Sequence, residues 1–271
     1  MLDLELLRLG SVRIELIHLM TLLNVVGSLG IIYRAGRRRG LRMPGPAVAF
    51  GMLLLCVAGT RLLAGLIQIV HFRGHLTSYY LFRDEGLTIL GGILVSLPLG
   101  FLYCRWKKIP FYTLAISCAF GLTVFTLLQR MICFLNGCCF GLPTEGPFGV
   151  HFPPHTDAGS VFPGEALHPT QLYTMAAYLG LLAFLSWAAP RTEEKLLFGV
   201  FMMFVGTERL LNQSFRWAAN NDVLFLIDDT VVTGHGLVAG LLLLYGLAVV
   251  LSGLWGQRRS RVPAMREAAL S

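Results

Sequence analysis

The chain has 271 residues, of which 55% are hydrophobic and only 14% charged, and its formal net charge is +7. Soluble domains carry about 25% charged residues, so the composition excludes an ordinary soluble enzyme and indicates a polytopic membrane protein. The basic residues fall in short runs between apolar stretches, which is how a bilayer protein is oriented, and this distribution argues against a nucleic-acid partner.

A helix needs about 20 mainly apolar residues to cross the hydrocarbon core. Seven stretches qualify in chain order: about 14–34, 47–70, 87–104, 110–134, 171–189, 196–212 and 231–253. The first is too long for a secretory signal and no small-residue cleavage site follows it, so it is expected to be retained. The expected fold is all-α: one integral-membrane domain over 1–271 with seven transmembrane helices and a frayed basic tail from about 257 that lies near anionic lipid.

Charge alternation supports that count. Arg34, Arg37, Arg38, Arg39 and Arg42 fill the first connection; Arg105, Lys107 and Lys108 the third; Arg191 and Lys195 the fifth. Arg258, Arg259, Arg261 and Arg266 follow the last span. The other side holds Arg8, Arg13, Arg73, Arg83, Arg209 and Arg216, and the stretch 135–171 has no Lys or Arg at all. The positive-inside rule then puts the N-terminus outside and the C-terminus in the cytoplasm. Two arginines, Arg61 and Arg130, lie within spans. At that depth a guanidinium either faces the protein interior or a hydrated cavity, or snorkels to the interface.

The connection between spans four and five is long, and long loops are often functional. Pro143, Pro147, Pro153, Pro154 and Pro163 punctuate it without a helical period, so it reads as an ordered outer flap or a re-entrant segment. Its borders concentrate the reactive residues. Arg130, Cys133, Asn136, Gly137, Cys138, Cys139 and Gly141 stand at its start, and His168-Pro169-Thr170-Gln171-Leu172-Tyr173 at its end.

Several chemistries fit these residues. A glycine-flanked turn beside an arginine can cradle a phosphate, because backbone N–H groups and guanidinium donors converge there. Arg209 and Arg216 add positive charge on the same side, and Glu208 could bind substrate or simply pair with an arginine. The cysteines form a candidate thiol site. A disulfide from Cys133 to Cys138 or Cys139 suits an oxidising outer compartment. A metal held by these thiols with His151, His155 or His168 stands beside it; Cys133 is five positions before Cys138, and zinc sites favour a two-to-four-residue gap between paired ligands. No metal or cofactor is assigned. Walker loops, dinucleotide fingerprints and serine-nucleophile elbows are missing from the sequence.

At these residues the chain resembles the bacterial prolipoprotein diacylglyceryl transferase family. Arg130, Phe134, Asn136, Gly137, Phe140 and Gly141 fall on one family motif, and His168–Tyr173 matches its His-Pro-Ser-Gln-Leu-Tyr string. Gly59-Thr60-Arg61-Leu62 is similar to its Gly-Ala-Arg-Leu, and Thr233-Gly234-His235 stands where it has Met-Gly-Gln. The resemblance implies a seven-span enzyme of the bacterial inner membrane. Such an enzyme transfers diacylglyceryl from phosphatidylglycerol to the lipobox cysteine thiol of an exported preprotein. It also implies catalytic roles for Arg130, His168 and either Arg209 or Arg216, with substrate binding by Asn136, Gly137, Gly141, Gln171, Tyr173, Arg61 and Glu208. The departures are specific. Leu90 replaces a family histidine, Cys133 an asparagine, Cys138 a glutamate, Leu167 an arginine and Thr174 a glutamate. The alternatives are a transferase with another lipid donor or acceptor, and a non-catalytic lipid-binding or partner-binding protein on the same scaffold.

Overall fold

The computed structural model describes residues 5–9, 12–45, 49–52, 54–55, 57–59, 88–217, 223–227 and 230–270; within these, side chains are described outside 5–15, 88–94, 223–235 and 258–270. Arg61, Cys56 and the second expected span beyond residue 59 lie outside the described residues, as do the side chains of Leu90 and His235.

The protein is mainly helical. The long helices are α1 (Leu16–Arg38), α2 (Thr88–Lys107), α3 (Phe111–Asn136), α5 (Thr170–Ala188), α6 (Glu194–Phe215) and α7 (Gly234–Leu270), and a short α4 covers Asp157–Val161. Among the described residues, four helices are long and apolar enough to cross a membrane: α1, α3, α5 and the Gly236–Gln257 part of α7. A shorter apolar helix at Ala49–Gly59 falls within the second expected span. The two remaining expected spans, 87–104 and 196–212, coincide with α2 and α6; α6 carries Glu194, Lys195, Glu208 and Arg209.

The expectation differs from the structure at several ends. The chain opens with a hairpin, β1 (Glu5–Leu9) with β2 (Val12–Glu15), and residues assigned to the start of the seventh span instead form β6 (Thr230–Thr233), paired with β5 (Val223–Ile227). Thr230, Val231, Val232 and Thr233 are all β-branched, which favours a strand over a helix start. The segment from about 257, expected as a tail after the last span, continues α7 to Leu270.

Helix α3 is the hub and packs against α1, α5 and α6, while α6 lies along α7. Asn24 of α1 donates through Nδ2 to the Phe125 carbonyl at 3.0 Å, and Gly121 brings α3 close to Ser28 and Ile32. The α6–α7 seam closes on small residues. A Cβ at Gly246 would sit 2.6 Å from the Gly199 carbonyl, and one at Gly206 2.5 Å from that of Ala239. Such close approach lets apolar helices associate where lipid offers no hydrophobic driving force. Ile116, Leu181, Leu185, Phe198 and Met202 fill the space between α3, α5 and α6. At the end where α1 finishes and α6 begins, Arg39 pairs with Glu194 at 3.6 Å, and Glu194 also accepts a hydrogen bond from Thr113.

At the opposite end, the long connection folds over the helices. β3 (Val150–His151) pairs antiparallel with β4 (Ala166–Leu167), and α4 packs beneath them. The segment has its own apolar centre of Phe140, Phe152, Ala158 and Leu167, flanked by Phe134 and Phe162. It is ordered, as its length suggested, and the helical turn that its prolines concealed is set by a cap. Thr156 Oγ1 accepts from the Gly159 N–H at 3.1 Å and donates to the Pro153 carbonyl at 2.7 Å. Removing such a cap costs about 1 kcal/mol. Thr156→Ala should therefore lower the thermal midpoint of the detergent-purified protein by a few degrees and speed proteolytic cleavage within 143–165. Cleavage at the wild-type rate would show that the cap does not hold this segment.

Candidate functional site

The site grows from the end of α3. Gly137 takes a left-handed conformation (φ 71°, ψ 24°), and its N–H and that of Cys138 return to the carbonyls of Phe134 and Cys133 at 3.2 and 3.1 Å. Such a glycine-closed end satisfies carbonyls that the helix would otherwise leave open. A side chain at Gly137 would also strike Thr156, whose Cβ would be 2.5 Å away. Two residues on, Cys139 is left-handed as well (φ 60°). That conformation costs a non-glycine residue about 1–2 kcal/mol. Neighbouring residues of an extended chain point to opposite sides, and the tight turn brings the sulfurs together instead. The Sγ atoms of Cys133, Cys138 and Cys139 all lie within 4.8 Å of one another. The sequence-based disulfide is not formed: all three are free thiols.

The start of α5 holds this turn from below. Thr170 Oγ1 donates to the Cys139 carbonyl at 2.7 Å, and Gln171 Nε2 to the Cys138 carbonyl at 2.6 Å. Gln171 is 1% exposed, and its Oε1 has no hydrogen-bond partner among the described residues. Behind it, Glu208 Oε1 accepts from Thr174 Oγ1 at 2.7 Å and from Asn212 Nδ2 at 3.1 Å, and Asn212 also reaches the Thr170 carbonyl. Asn212 Oδ1 is buried and likewise without a partner among the described residues. Glu208 thus sits in a hydrogen-bonded network between α5 and α6.

Arg130 lies one turn before Cys133 on α3. Cys139, Cys133, Glu208 and Tyr178 surround it electrostatically, yet no hydrogen bond or ion pair joins its guanidinium to another described residue. Tyr178 is buried among the same charges and pairs with Thr126. Arg209 acts on Tyr178, and Arg216 on Cys139. Outside the helices, the thiols differ. Hydrogen bonding to Cys133, then to Cys139, together with burial pushes the Cys138 thiol up. S–H donation from Cys133 and Cys138 holds Cys139 well below the usual thiol range, with Arg216 and Arg130 acting in the same direction.

His168 and Tyr173 form a neighbouring pair. His168 Nδ1 lies 3.0 Å from the Tyr173 hydroxyl, and both rings pack on Phe215. Gly141 links this pair to the turn by donating its N–H to the His168 carbonyl at 2.9 Å and bridging to Arg216. Asn136 is exposed at the rim. Sequence reasoning missed Tyr178 and Asn212. The spacing of Glu208 and Asn212, four apart on α6, was the available signal for the last, since i and i+4 share a face.

These features define a class: a polytopic α-helical membrane protein with a polar site where the end of α3, the start of α5 and the end of α6 meet, rich in arginine and thiol. The family model for prolipoprotein diacylglyceryl transferase matches residues 5–252, and the chain belongs to that family. A phosphatidylglycerol–prolipoprotein diacylglyceryl transferase of Geobacter sulfurreducens is 31% identical over 217 residues, covering 77% of this chain and 80% of the relative. Proteins of the same name from Clostridium tetani and Acaryochloris marina are each 24% identical, over 229 and 254 residues, covering 82% and 92% of this chain and 88% and 89% of those relatives.

Proposed function

We propose that this chain transfers the diacylglyceryl group of phosphatidylglycerol to a cysteine thiol of an exported preprotein at the bacterial inner membrane. The observation that carries the reading is Arg130, a guanidinium among polar groups whose donors are not taken up by any described residue. In the reaction, the acceptor sulfur attacks the glycerol carbon that bears the phosphate. A carbon–sulfur bond forms and the carbon–oxygen bond to phosphate breaks. The phosphate leaves with the other glycerol as glycerol phosphate, and the thiol proton passes to a base.

Arg130 takes the charge that builds on the departing phosphate, a task suited to a planar cation already fixed in place, and Arg209 or Arg216 supplements it. The Asn136 side chain holds the headgroup at the rim, with the Gly137 turn setting its position and Gly141 keeping the floor thin. Gln171 Oε1 and Asn212 Oδ1, both open acceptors among the described residues, receive glycerol hydroxyls, and Glu208 keeps Asn212 in place. His168 is the base. With Tyr173 at Nδ1, its Nε2 is the nitrogen left for the acceptor. Arg61 is assigned to substrate binding on the family resemblance alone. Seven spans with the N-terminus outside and the C-terminus cytoplasmic put this chemistry on the outer leaflet, where an exported preprotein arrives.

A second reading, transfer from another lipid or to another acceptor, is favoured by the thiols at Cys133 and Cys138, where the family motif has an amide and a carboxylate. One assay separates the two. Purified protein in phosphatidylglycerol-containing detergent should lipidate a lipobox cysteine peptide and rescue a strain depleted of its own transferase. Failure of both, beside an active control enzyme, would overturn the first reading; transfer only from another phospholipid or to another thiol would establish the second.

A further inference from the structure

We infer that Cys133, Cys138 and Cys139 form a three-thiolate site for a thiophilic closed-shell cation, with zinc as its first test. The three sulfurs lie within 4.8 Å of one another. Zinc–sulfur bonds of about 2.3 Å in tetrahedral geometry need sulfurs about 3.8 Å apart, a contraction that small side-chain rotations supply. Four residues lie between Cys133 and Cys138, within the two-to-four gap usual for paired zinc ligands. The glycine-closed end of α3 folds the chain back on itself across that gap.

Three further observations support a built site. The backbone is fixed from outside, since Gln171 and Thr170 hold the carbonyls of Cys138 and Cys139. The left-handed turn at Cys139 sets both adjacent thiols toward Cys133. Charge is also matched: three thiolates around a divalent ion leave one net negative charge, and the positive charges of Arg130 and Arg216 both act on Cys139. Buried thiolates without such cations would be costly.

The donor count has a chemical consequence. Among the described residues, only these three ligand atoms gather there. Zinc sites with three protein ligands keep a fourth position open, whereas closed structural sites use four. A thiol entering that position loses its proton outright, so coordination would present the acceptor cysteine as a thiolate beside Arg130. The proton goes to water or His168, a metal–sulfur bond forms, and no oxidation state changes. This second step rests on the transfer reading; the metal site does not.

The test uses the whole protein, purified in detergent under anaerobic reducing conditions, freed of metal and titrated with Co2+. One equivalent should bind with intense thiolate-to-cobalt absorption, and Zn2+ should displace it. Cys133→Ser, Cys138→Ser and Cys139→Ser should each weaken binding at least tenfold, while Cys104→Ser, buried elsewhere on α2, should not. Absence of stoichiometric binding by the folded wild type, or equal binding by the triple serine variant, would overturn the site. A cysteine-containing lipobox peptide should then shift the visible cobalt bands where its serine counterpart does not. Identical spectra with both peptides, in protein that still transfers lipid, would overturn the open position. Cobalt binding in protein that transfers nothing would leave the site standing and sink the transferase reading.

Discussion

Arg130→Ala should reduce the turnover number for diacylglyceryl transfer by about 10²–10³-fold, the loss of about 2.7–4 kcal/mol typical of removing one donor that stabilises a developing negative charge. Arg130→Lys should recover little of it. Lysine keeps the charge but not the planar fork that binds two phosphate oxygens at once. The protein should remain folded, because no hydrogen bond or ion pair links the guanidinium to another described residue. The helix contacts of α3 are made by Ile116, Ala119 and Gly121 instead. The measurement is transfer to a lipobox peptide under saturating donor, together with the thermal midpoint in detergent. Unchanged turnover in Arg130→Ala would remove phosphate stabilisation from this residue. Lost turnover with a collapsed midpoint would make it a structural residue.

The sequence and the structure agree where long-range physics is simple. An apolar run of about 20 residues is legible as a helix whatever surrounds it, and α1, α3, α5 and most of α7 lie within a few residues of the expected limits. The site was legible in its parts because Arg130, Gly137, the cysteines and His168–Tyr173 lie near one another in the chain. Their arrangement was not legible. Whether Cys138 points toward Cys133 depends on one left-handed residue at Gly137 and another at Cys139, and a left-handed cysteine has no sequence signature. Thr174 read only as a departure from a family glutamate, yet buried against α6 it donates to Glu208. The carboxylate it appears to lack is supplied by another helix. The hairpins were missed for a different reason: stretches of four or five residues beside strong helices give too short a period to separate strand from helix.

Gly141→Ala is the variant expected to lose structure and activity together. A Cβ at this position would lie 2.5 Å from His168 Cβ and 2.6 Å from the carbonyls of both His168 and Phe215. Two of those neighbours are backbone, so no rotamer change makes room. The strands must part, and with them a short ladder of main-chain bonds: Gly141 N–H to His168 at 2.9 Å, Leu142 N–H to Phe215 at 2.9 Å, His168 N–H to Leu142 at 3.0 Å and Trp217 N–H to Phe140 at 3.2 Å. That ladder is what ties the cysteine turn to the start of α5 and the end of α6. Overpacking of this kind costs about 1–3 kcal/mol, and each broken bond that stays buried adds about 1 kcal/mol or more. The thermal midpoint should fall by several degrees. Transfer should fall with it, because Arg216 and His168 lose their register with Arg130. Gly180→Ala supplies the control: nothing lies within 4 Å of a Cβ there, and alanine improves helix propensity by up to about 1 kcal/mol. Its midpoint should hold or rise with transfer intact. If Gly141→Ala matched it in both measurements, the ladder at Gly141 would not be what assembles the site.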